Sequence, residues 1–241
     1  MDLAILITNT DDSAFARAHD DDGIVFAELI ALARPQWRCT PYWLCRDEFP
    51  ADLAAHDGAM MTGSPASVND DLPWIARSVE LVRDMMERRQ PLFAACFGHQ
   101  LVGRALGAPV VANPGGWGHG LLHLTRAERA PWSGPEEIVR LYGSHCEQVA
   151  HLPEGARLLF RSPEVPVAGF AVDSHVFTVQ HHPEMTDAFI ADLVEEYAEE
   201  LGPDVTARAR ASLRERADRA AFAEEIARFF ETAAARAARE G

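Results

Sequence analysis

Two short stretches carry residues able to do covalent chemistry. The first, Pro91-Leu-Phe-Ala-Ala-Cys96-Phe-Gly-His-Gln100, is an apolar run, a cysteine, a glycine two positions on, and the start of a helix. A strand that turns sharply into a helix holds its turn residue out at the carboxyl end of a sheet, and the crowded backbone there asks for small neighbours. Ala94 and Gly98 stand two before and two after Cys96. The N–H groups of Phe97 and of the peptides after it open a helix, so they point toward a thiolate or an oxyanion formed on it. A buried structural cysteine between strand and helix is the competing reading, since free cysteine is among the most buried residue types.

A thiolate nucleophile needs a base, and the base needs an orienter. The second stretch, Val179-Gln-His-His-Pro-Glu184, supplies both at the end of an apolar strand. Pro183 biases His182 to an extended backbone. Residues two apart on an extended segment face the same way, so Glu184 can bond one imidazole nitrogen of His182 and leave the other for Cys96. The same alternation sends His181 and His182 to opposite faces, which argues against a shared metal. Cys96 and His182 lie 86 positions apart. A parallel α/β sheet, whose strand ends converge on one edge, is the fold that brings them together.

The elements that must do this are readable in outline. The chain has 241 residues and is 48% hydrophobic, enough for one large domain with its own core. Its net charge of −15 repels phosphate backbones, so nucleic acid is not an expected partner. No apolar run reaches the length of a membrane span. The first residues lack the basic start of a signal peptide and read as a strand. Cys39, Cys45, Cys96 and Cys146 form no C-x-x-C pair and no zinc spacing. A reduced, cytoplasmic protein without metal or other cofactor is expected.

In order, residues 3–8 are an apolar strand of the kind covered on both faces. Asp20, Asp21 and Asp22 read as the negative start of a helix over 24–33 rather than a cation site, because no third ligand stands at metal spacing. Residues 38–44 have strand character, and Pro41 assigns them to a sheet edge. Residues 58–62 form a buried strand running into a loop of turn formers. Pro73 starts a helix over 74–89, with Ile75, Val79, Val82 and Met86 facing the core. The helix after Cys96 is closed by Gly107. From residue 110 to 180 six short apolar runs read as hairpins or an antiparallel extension. The glycine-rich segment 115–120 reads as a flexible loop near the site, not a phosphate fingerprint. Three helices follow, the first ending at Gly202-Pro203, and residues 233–241 are expected to fray. The fold class is α/β: a mostly parallel sheet flanked by helices, flavodoxin-like, with a small antiparallel extension and a C-terminal helical tail. Residues 1–186 form the domain and 187–241 a helical extension packed on it, a solvated cap or a homodimer face.

Ala95-Cys96-Phe97-Gly98-His99-Gln100 and Gln180-His181-His182-Pro183-Glu184 together resemble the C-x-G-x-Q and Q-x-H-P-E motifs of class I (triad) glutamine amidotransferases. Met61-Thr-Gly63-Ser-Pro65 resembles the oxyanion loop of that family, and Tyr142-Gly-Ser144-His145 its S-H-G-D substrate segment. Four motifs in order cover roughly residues 1–200. The nearest look is to stand-alone members related to the GMP synthase glutaminase domain.

The resemblance implies Cys96 as nucleophile, His182 as general base and then acid, and Glu184 as orienter. It implies an oxyanion hole from the N–H of Phe97 and one from Gly63–Ser64, with Gln100, Ser144 and His145 holding the glutamyl end. The substrate would be glutamine or another γ-glutamyl amide, cleaved through a thioester. Three positions depart from the pattern: Ala94 and Ser64 replace glycines, and Ser144-His145-Cys146-Glu147 replaces S-H-G-D. If that last glycine needs a positive φ, Cys146 is strained or its loop differs. No nucleotide-binding glycine loop follows residue 184, so released ammonia would pass to a synthase on a separate chain. A stand-alone γ-glutamyl peptidase or transferase is the alternative, and a non-catalytic regulatory subunit the alternative of another class.

Overall fold

Asp2–Ile7 (β1) is buried on both faces because every side chain after Asp2 is apolar. A computed structural model describes residues 1–240. The strands that follow are β2 (Arg38–Trp43), β3 (Gly58–Met61), β4 (Leu92–Ala95), β5 (Val110–Ala112), β6 (Gly118–Arg126), β7 (Ile138–His145), β8 (Glu147–Val149), β9 (Arg157–Arg161), β10 (Gly169–Val172) and β11 (Val176–Val179). The helices are α1 (Ala14–Arg17), α2 (Asp22–Ala31), α3 (Pro73–Glu87), α4 (Phe97–Ala105), α5 (Asp187–Glu196), α6 (Ala198–Ser212) and α7 (Arg219–Glu240).

The main sheet runs β2-β1-β3-β4-β11-β10-β9-β6-β7. Its first five strands are parallel, and β10, β9, β6 and β7 extend it antiparallel. β5 and β8 pair separately. The architecture is therefore the mostly parallel, helix-flanked sheet with an antiparallel extension that the alternation of elements predicts. Pro41 sits on β2, at the open edge, where a missing donor costs no ladder bond.

Two apolar layers sandwich the sheet. Leu3, Ile5, Phe93 and Phe177 face α2 and α7, where Phe26, Phe222, Ile226 and Phe229 meet them. Ala4, Leu6, Ala94 and Val176 face α3 and α4, through Ile75, Val79, Val82 and Leu101. A third cluster joins α5 and α6 to β6 and β7 through Leu121, Tyr142, Ile190 and Leu193. Local chemistry sets the helix starts. The Asp21 carboxylate accepts from Ile24 N at 3.1 Å, and Asp22 follows in the first turn of α2. Pro73 opens α3, and Thr186 caps α5.

Four expectations change. Met85, not Met86, is the fully buried methionine of α3. Gly118 and Gly120 belong to β6, so half of the glycine-rich segment is strand. Gly120 takes φ +94, and a Cβ there would lie 2.6 Å from Ser212 Oγ and 3.0 Å from Ala209 Cα, so both its backbone and its surroundings call for glycine. The helix expected to run to Gly202-Pro203 is already interrupted after Glu196, but the break expected at Gly202-Pro203 is present: Gly202 is non-helical (φ 77, ψ 170), so α6 is two helical pieces joined there. α7 continues to Glu240 rather than fraying from 233, since its alanine-rich end has high helix propensity; Gly241 lies outside the described residues. No helix among them is long and apolar enough to cross a membrane.

α7 is bound to the sheet by charge as well as by phenylalanines. Arg126 of β6 donates to Glu225 at 2.6 and 3.2 Å, both side chains almost wholly buried. Removing one partner strands the other charge in the interior. Glu225→Gln is therefore expected to lower the unfolding free energy by about 3 kcal/mol or more, read from urea midpoints at constant m-value.

Candidate active site

β4 and β11 are neighbours in parallel register, from Leu92 opposite Val176 to Ala95 opposite Val179. Cys96 N donates to Val179 O at 2.9 Å, which continues the ladder one residue past β4. The chain then turns into α4, whose first bond is Gln100 N to Cys96 O at 3.0 Å. The turn forces Cys96 to φ +50 and ψ −109, a conformation that non-glycine residues rarely hold. Such strain costs on the order of 1–3 kcal/mol and is retained where surrounding contacts over-determine it. Here those contacts are complete: residues 92–100 are all buried.

Beyond β11 the chain bends toward β7, where His182 N donates to Tyr142 O at 2.8 Å. His182 Nδ1 bonds Glu184 Oε1 at 2.6 Å, both side chains being more than nine-tenths buried. Burial alone would push the His182 pKa down. The Cys96 sulfur, and then the Glu184 carboxylate, outweigh it and raise the pKa well above 6.5. An imidazolium held between a sulfur and a carboxylate is the pairing that favours a thiolate. Gln180, also buried, places its Nε2 3.8 Å from Cys96 Sγ.

Gly63 lies against both residues. A Cβ at Gly63 would stand 2.8 Å from His182 Cε1 and 3.5 Å from Cys96 Cβ. Thr8 fixes its height: the hydroxyl donates to Thr62 O at 2.9 Å and to Gly63 O at 3.0 Å, while Thr8 N donates to Thr62 Oγ1 at 3.0 Å. Gly98 N donates to Thr62 O at 3.2 Å, tying the start of α4 to the same corner. Trp74 stacks on Phe97, ring centroids 5.5 Å apart. The structure thus brings Cys96, Phe97, Gly63, His182 and Glu184 to one place. Ser64 follows Gly63, half-buried, its Oγ accepting from Ala66 N.

The three residues expected at the glutamyl end are braced by protein partners. Gln100 Nε2 donates to Glu147 O at 3.0 Å and to Gln180 Oε1 at 3.2 Å. Ser144 Oγ meets His119 Nδ1 at 3.1 Å. His145 Nδ1 lies 3.2 Å from Glu147 O, and its Nε2 is buried without a partner. Cys146 is not among the positive-φ residues, so the strain anticipated there is absent. Its thiol pKa is raised by burial and then by Glu147, the ordinary state of an unactivated thiol. No group of three or more metal-ligating side chains occurs among the described residues.

Sequence reasoning assigned no role to Gln180 or Thr8, and to Asp22 only a place in the acidic start of α2. Gln180 stood inside the Q-x-H-P-E pattern, and that was its only signal. Asp22 stands in the first turn of α2 as expected, yet its carboxyl is pushed up to about 7, by burial and then by the nearby Glu184 carboxylate.

A buried, strained cysteine after a central parallel strand, beside a His–Glu pair from the next strand, defines an α/β protein of the nucleophile-elbow kind. The model of the family described as glutamine amidotransferase class-I matches residues 40–188. The chain belongs to that family. It is 27% identical over 200 residues to γ-glutamyl peptidase 4 of Arabidopsis thaliana, covering 79% of each chain. It is 32% identical over 130 residues to the glutamine-hydrolysing GMP synthase of Clostridium kluyveri, covering 53% of this chain and 24% of the synthase. The crystal structure of a glutamine amido transferase from Methylobacillus flagellatus superposes with a TM-score of 0.78 at 24% identity. That match covers 96% of this chain and 94% of the other, and shows the shared fold.

The chain also holds a group of buried, neutral imidazoles. Burial pushes His99 down to about 3 and His119 and His145 to about 4, and lowers His181 well below 6.5. Each binds its proton later in the folded state than in the unfolded one. Their stabilisation is therefore full above pH 6.5 and is lost as pH falls toward 4, with a limiting slope of about 1.4 kcal/mol per pH unit per imidazole. Asp22, His19 and His182, whose pKa values are raised in the folded state, work in the opposite direction: Asp22 across this window, and the two histidines from about pH 6.5 upward, where the unfolded imidazole loses its proton first. Urea unfolding is expected to show lower stability at pH 5 than at pH 7, and His119→Asn to flatten that difference.

Proposed function

We propose that the chain hydrolyses the γ-amide of a γ-glutamyl compound through a thioester on Cys96. The observation that carries this reading is the buried Cys96–His182–Glu184 arrangement next to Gly63. The Cys96 thiolate attacks the γ-carbonyl carbon. The developing oxyanion accepts from the N–H of Phe97 and from an N–H of the Gly63–Ser64 segment, each such donor contributing on the order of 3 kcal/mol to the transition state. His182 gives its proton to the leaving nitrogen, and the C–N bond breaks. A water molecule, deprotonated by His182, then attacks the thioester and frees glutamate and the thiolate. Glu184 keeps the imidazole in the tautomer and orientation that both steps require. Gln100, Ser144 and His145 shape the pocket for the glutamyl end.

The leaving group decides between two physiological roles. With glutamine it is ammonia, to be passed to a synthase on a separate chain; the similarity to GMP synthase supports that reading. With a γ-glutamyl peptide it is an amine, and the enzyme acts alone. The match to a γ-glutamyl peptidase over four-fifths of both chains supports this second reading. Comparing amine and ammonia release from glutamine and from γ-glutamyl dipeptides separates them. Preferential turnover of dipeptides selects the peptidase, and glutamine turnover that rises when a synthase is added selects the amidotransferase.

Cys96→Ser is expected to abolish turnover of every substrate and to remove the glutamyl adduct seen by mass spectrometry. Turnover that survives it sinks both readings. Gly63→Ala is expected to lower kcat by about 100-fold with less effect on KM, because the new methyl must displace the His182 ring.

A further inference from the structure

The loop between β3 and α3 carries one of the two proposed oxyanion donors, and it is held from both ends. On the β3 side the Thr8 hydroxyl donates to the carbonyls of Thr62 and Gly63. On the far side the loop closes into a short turn. Ser67 N donates to Asp70 Oδ2 at 3.0 Å, Asp70 N to Ser67 O at 3.1 Å, and Asn69 N to Ser67 Oγ at 3.1 Å. The Ser67 hydroxyl, having accepted that last bond, still has one proton to give. It gives it across 80 positions of sequence to both carboxylate oxygens of Glu147, at 2.8 and 3.0 Å. Beside it Asn69 Nδ2 donates to Val110 O at 3.1 Å, and Val68 is wholly buried in the apolar layer that holds Leu101 and Val149.

Glu147 opens β8, opposite Ala112 of β5. This two-stranded sheet holds none of Cys96, His182 or Glu184, yet it touches both halves of the site. The Glu147 carbonyl oxygen accepts from Gln100 Nε2 at 3.0 Å and lies 3.2 Å from His145 Nδ1. Gln100 N in turn donates to Cys96 O at 3.0 Å, in the first turn of α4. Three residues along that helix, a Cβ at Gly103 would stand 2.9 Å from Val149 Cγ2, so α4 lies hard against β8. One residue thus joins the oxyanion loop by its side chain and the nucleophile helix by its main chain. A hydroxyl that donates to a carboxylate makes a stronger and more directional contact than apolar packing does. The loop has few other ties on this side: Pro65, Asn69 and Asp70 are exposed, and Ser64 and Ala66 only half-buried.

We infer that Ser67 and Glu147 are positioning residues, which set the oxyanion loop against the Cys96 helix with the two-stranded sheet as spacer. This rests on the hydrolytic reading of Cys96. An N–H from Gly63–Ser64 serves the transition state only within about 2.7–3.1 Å of the oxyanion, so a small shift of the loop is felt in the rate. Neither side chain is given a contact with the substrate: Ser67 acts through the loop, and Glu147 through Ser67.

Turnover of glutamine and of a γ-glutamyl dipeptide by variants of the full chain tests this. Ser67→Ala and Glu147→Ala are each expected to lower kcat by about ten- to a hundredfold with KM changed less than about threefold, because a misplaced transition-state donor costs rate more than ground-state binding. The two losses belong to one contact, so the double variant is expected to be no slower than the slower single one. Ser67→Thr keeps a hydroxyl and Glu147→Gln keeps an acceptor oxygen, and each is expected to hold kcat within about threefold of wild type. Iodoacetamide forms no oxyanion, and it is expected to alkylate Cys96 at the wild-type rate in every variant. Amide exchange over residues 63–70 is expected to quicken in both alanine variants and not in the conservative ones. Should Glu147→Ala lose its fold by circular dichroism, Ser67→Ala, on a half-buried loop position, carries the comparison with Ser67→Thr. Unchanged kcat in Ser67→Ala overturns the inference, as do additive losses in the double variant. Slower alkylation in the alanine variants overturns it too, since the thiolate and not the loop would then be disturbed. A Glu147→Gln variant as slow as Glu147→Ala, beside an unaffected Ser67→Ala, would put the carboxylate on the substrate instead. Wild type that turns over no γ-glutamyl compound fails the reading of Cys96; the exchange measurement then decides the contact alone, and unchanged exchange over 63–70 overturns it.

Discussion

The parallel pairing of β4 with β11 is the contact on which the site depends. These strands are distant in sequence, and the residues between them form most of the antiparallel extension. Their eight residues are all buried, so a slip in register would move Phe93 and Phe177 from one apolar layer to the other. Register fixes where each strand stops. One backbone bond, Cys96 N to Val179 O, locks Cys96 to the end of the partner strand. Another, His182 N to Tyr142 O, locks the imidazole to β7. The side chains that meet at the site are therefore placed by backbone hydrogen bonds before any side-chain contact is made.

The second constraint is charge held out of water. A His–Glu pair this deeply buried is expensive unless its remaining polar atoms are engaged. Glu184 Oε2 has no partner, and the neighbouring Asp22 carboxyl is pushed toward neutrality instead of adding a second buried anion. Arg219 Nε reaches Glu184 O at 3.2 Å from the start of α7. That helix is anchored under the sheet by Phe222, Phe229 and the Arg126–Glu225 pair. The helical tail thus bears on the site: its apolar burial helps offset the strain at Cys96 and the desolvation of the pair beside it.

Much of this was legible in the sequence because it is local. The elbow, the Pro41 edge, the Asp21 cap, the Pro73 helix start and the turn at Gly107 each rest on residues within a few positions of one another. The neighbour of His182 and Glu184 was legible for the same reason, since Pro183 fixes the backbone between them. What was not legible depends on distant pairing. Nothing in the run Val176–Val179 says that it adds to β4 as well as forming its hairpin with β10. Nothing near Gly118 says that the last turn of α6, at Ala209 and Ser212, will press on Gly120. The bracing of Gln100 by Glu147 and Gln180 needs three separate elements, so its commitment to protein acceptors could be seen only in the fold. Helix α7 outlasts its buried face because alanine propensity, a weak local term, meets no opposing contact at residues 234–239.

The departures from the family pattern follow one rule. Ala94, Ser64 and Cys146 stand where the motifs this sequence resembles have glycine, and none of the three has a positive φ. A side chain there meets no backbone penalty. The glycines that remain are held by atoms: at Gly98 a Cβ would crowd Met61 O at 3.1 Å, and at Gly63 it would strike the His182 ring. Backbone cannot step aside as a flexible side chain can, and the His182 ring is fixed by Glu184. Strain appears instead at Cys96, the one elbow residue that cannot be glycine if a thiol is to be presented. The site keeps glycine where space demands it, gives it up where no backbone penalty requires it, and carries a distorted backbone at Cys96, the residue on which the proposed reaction depends.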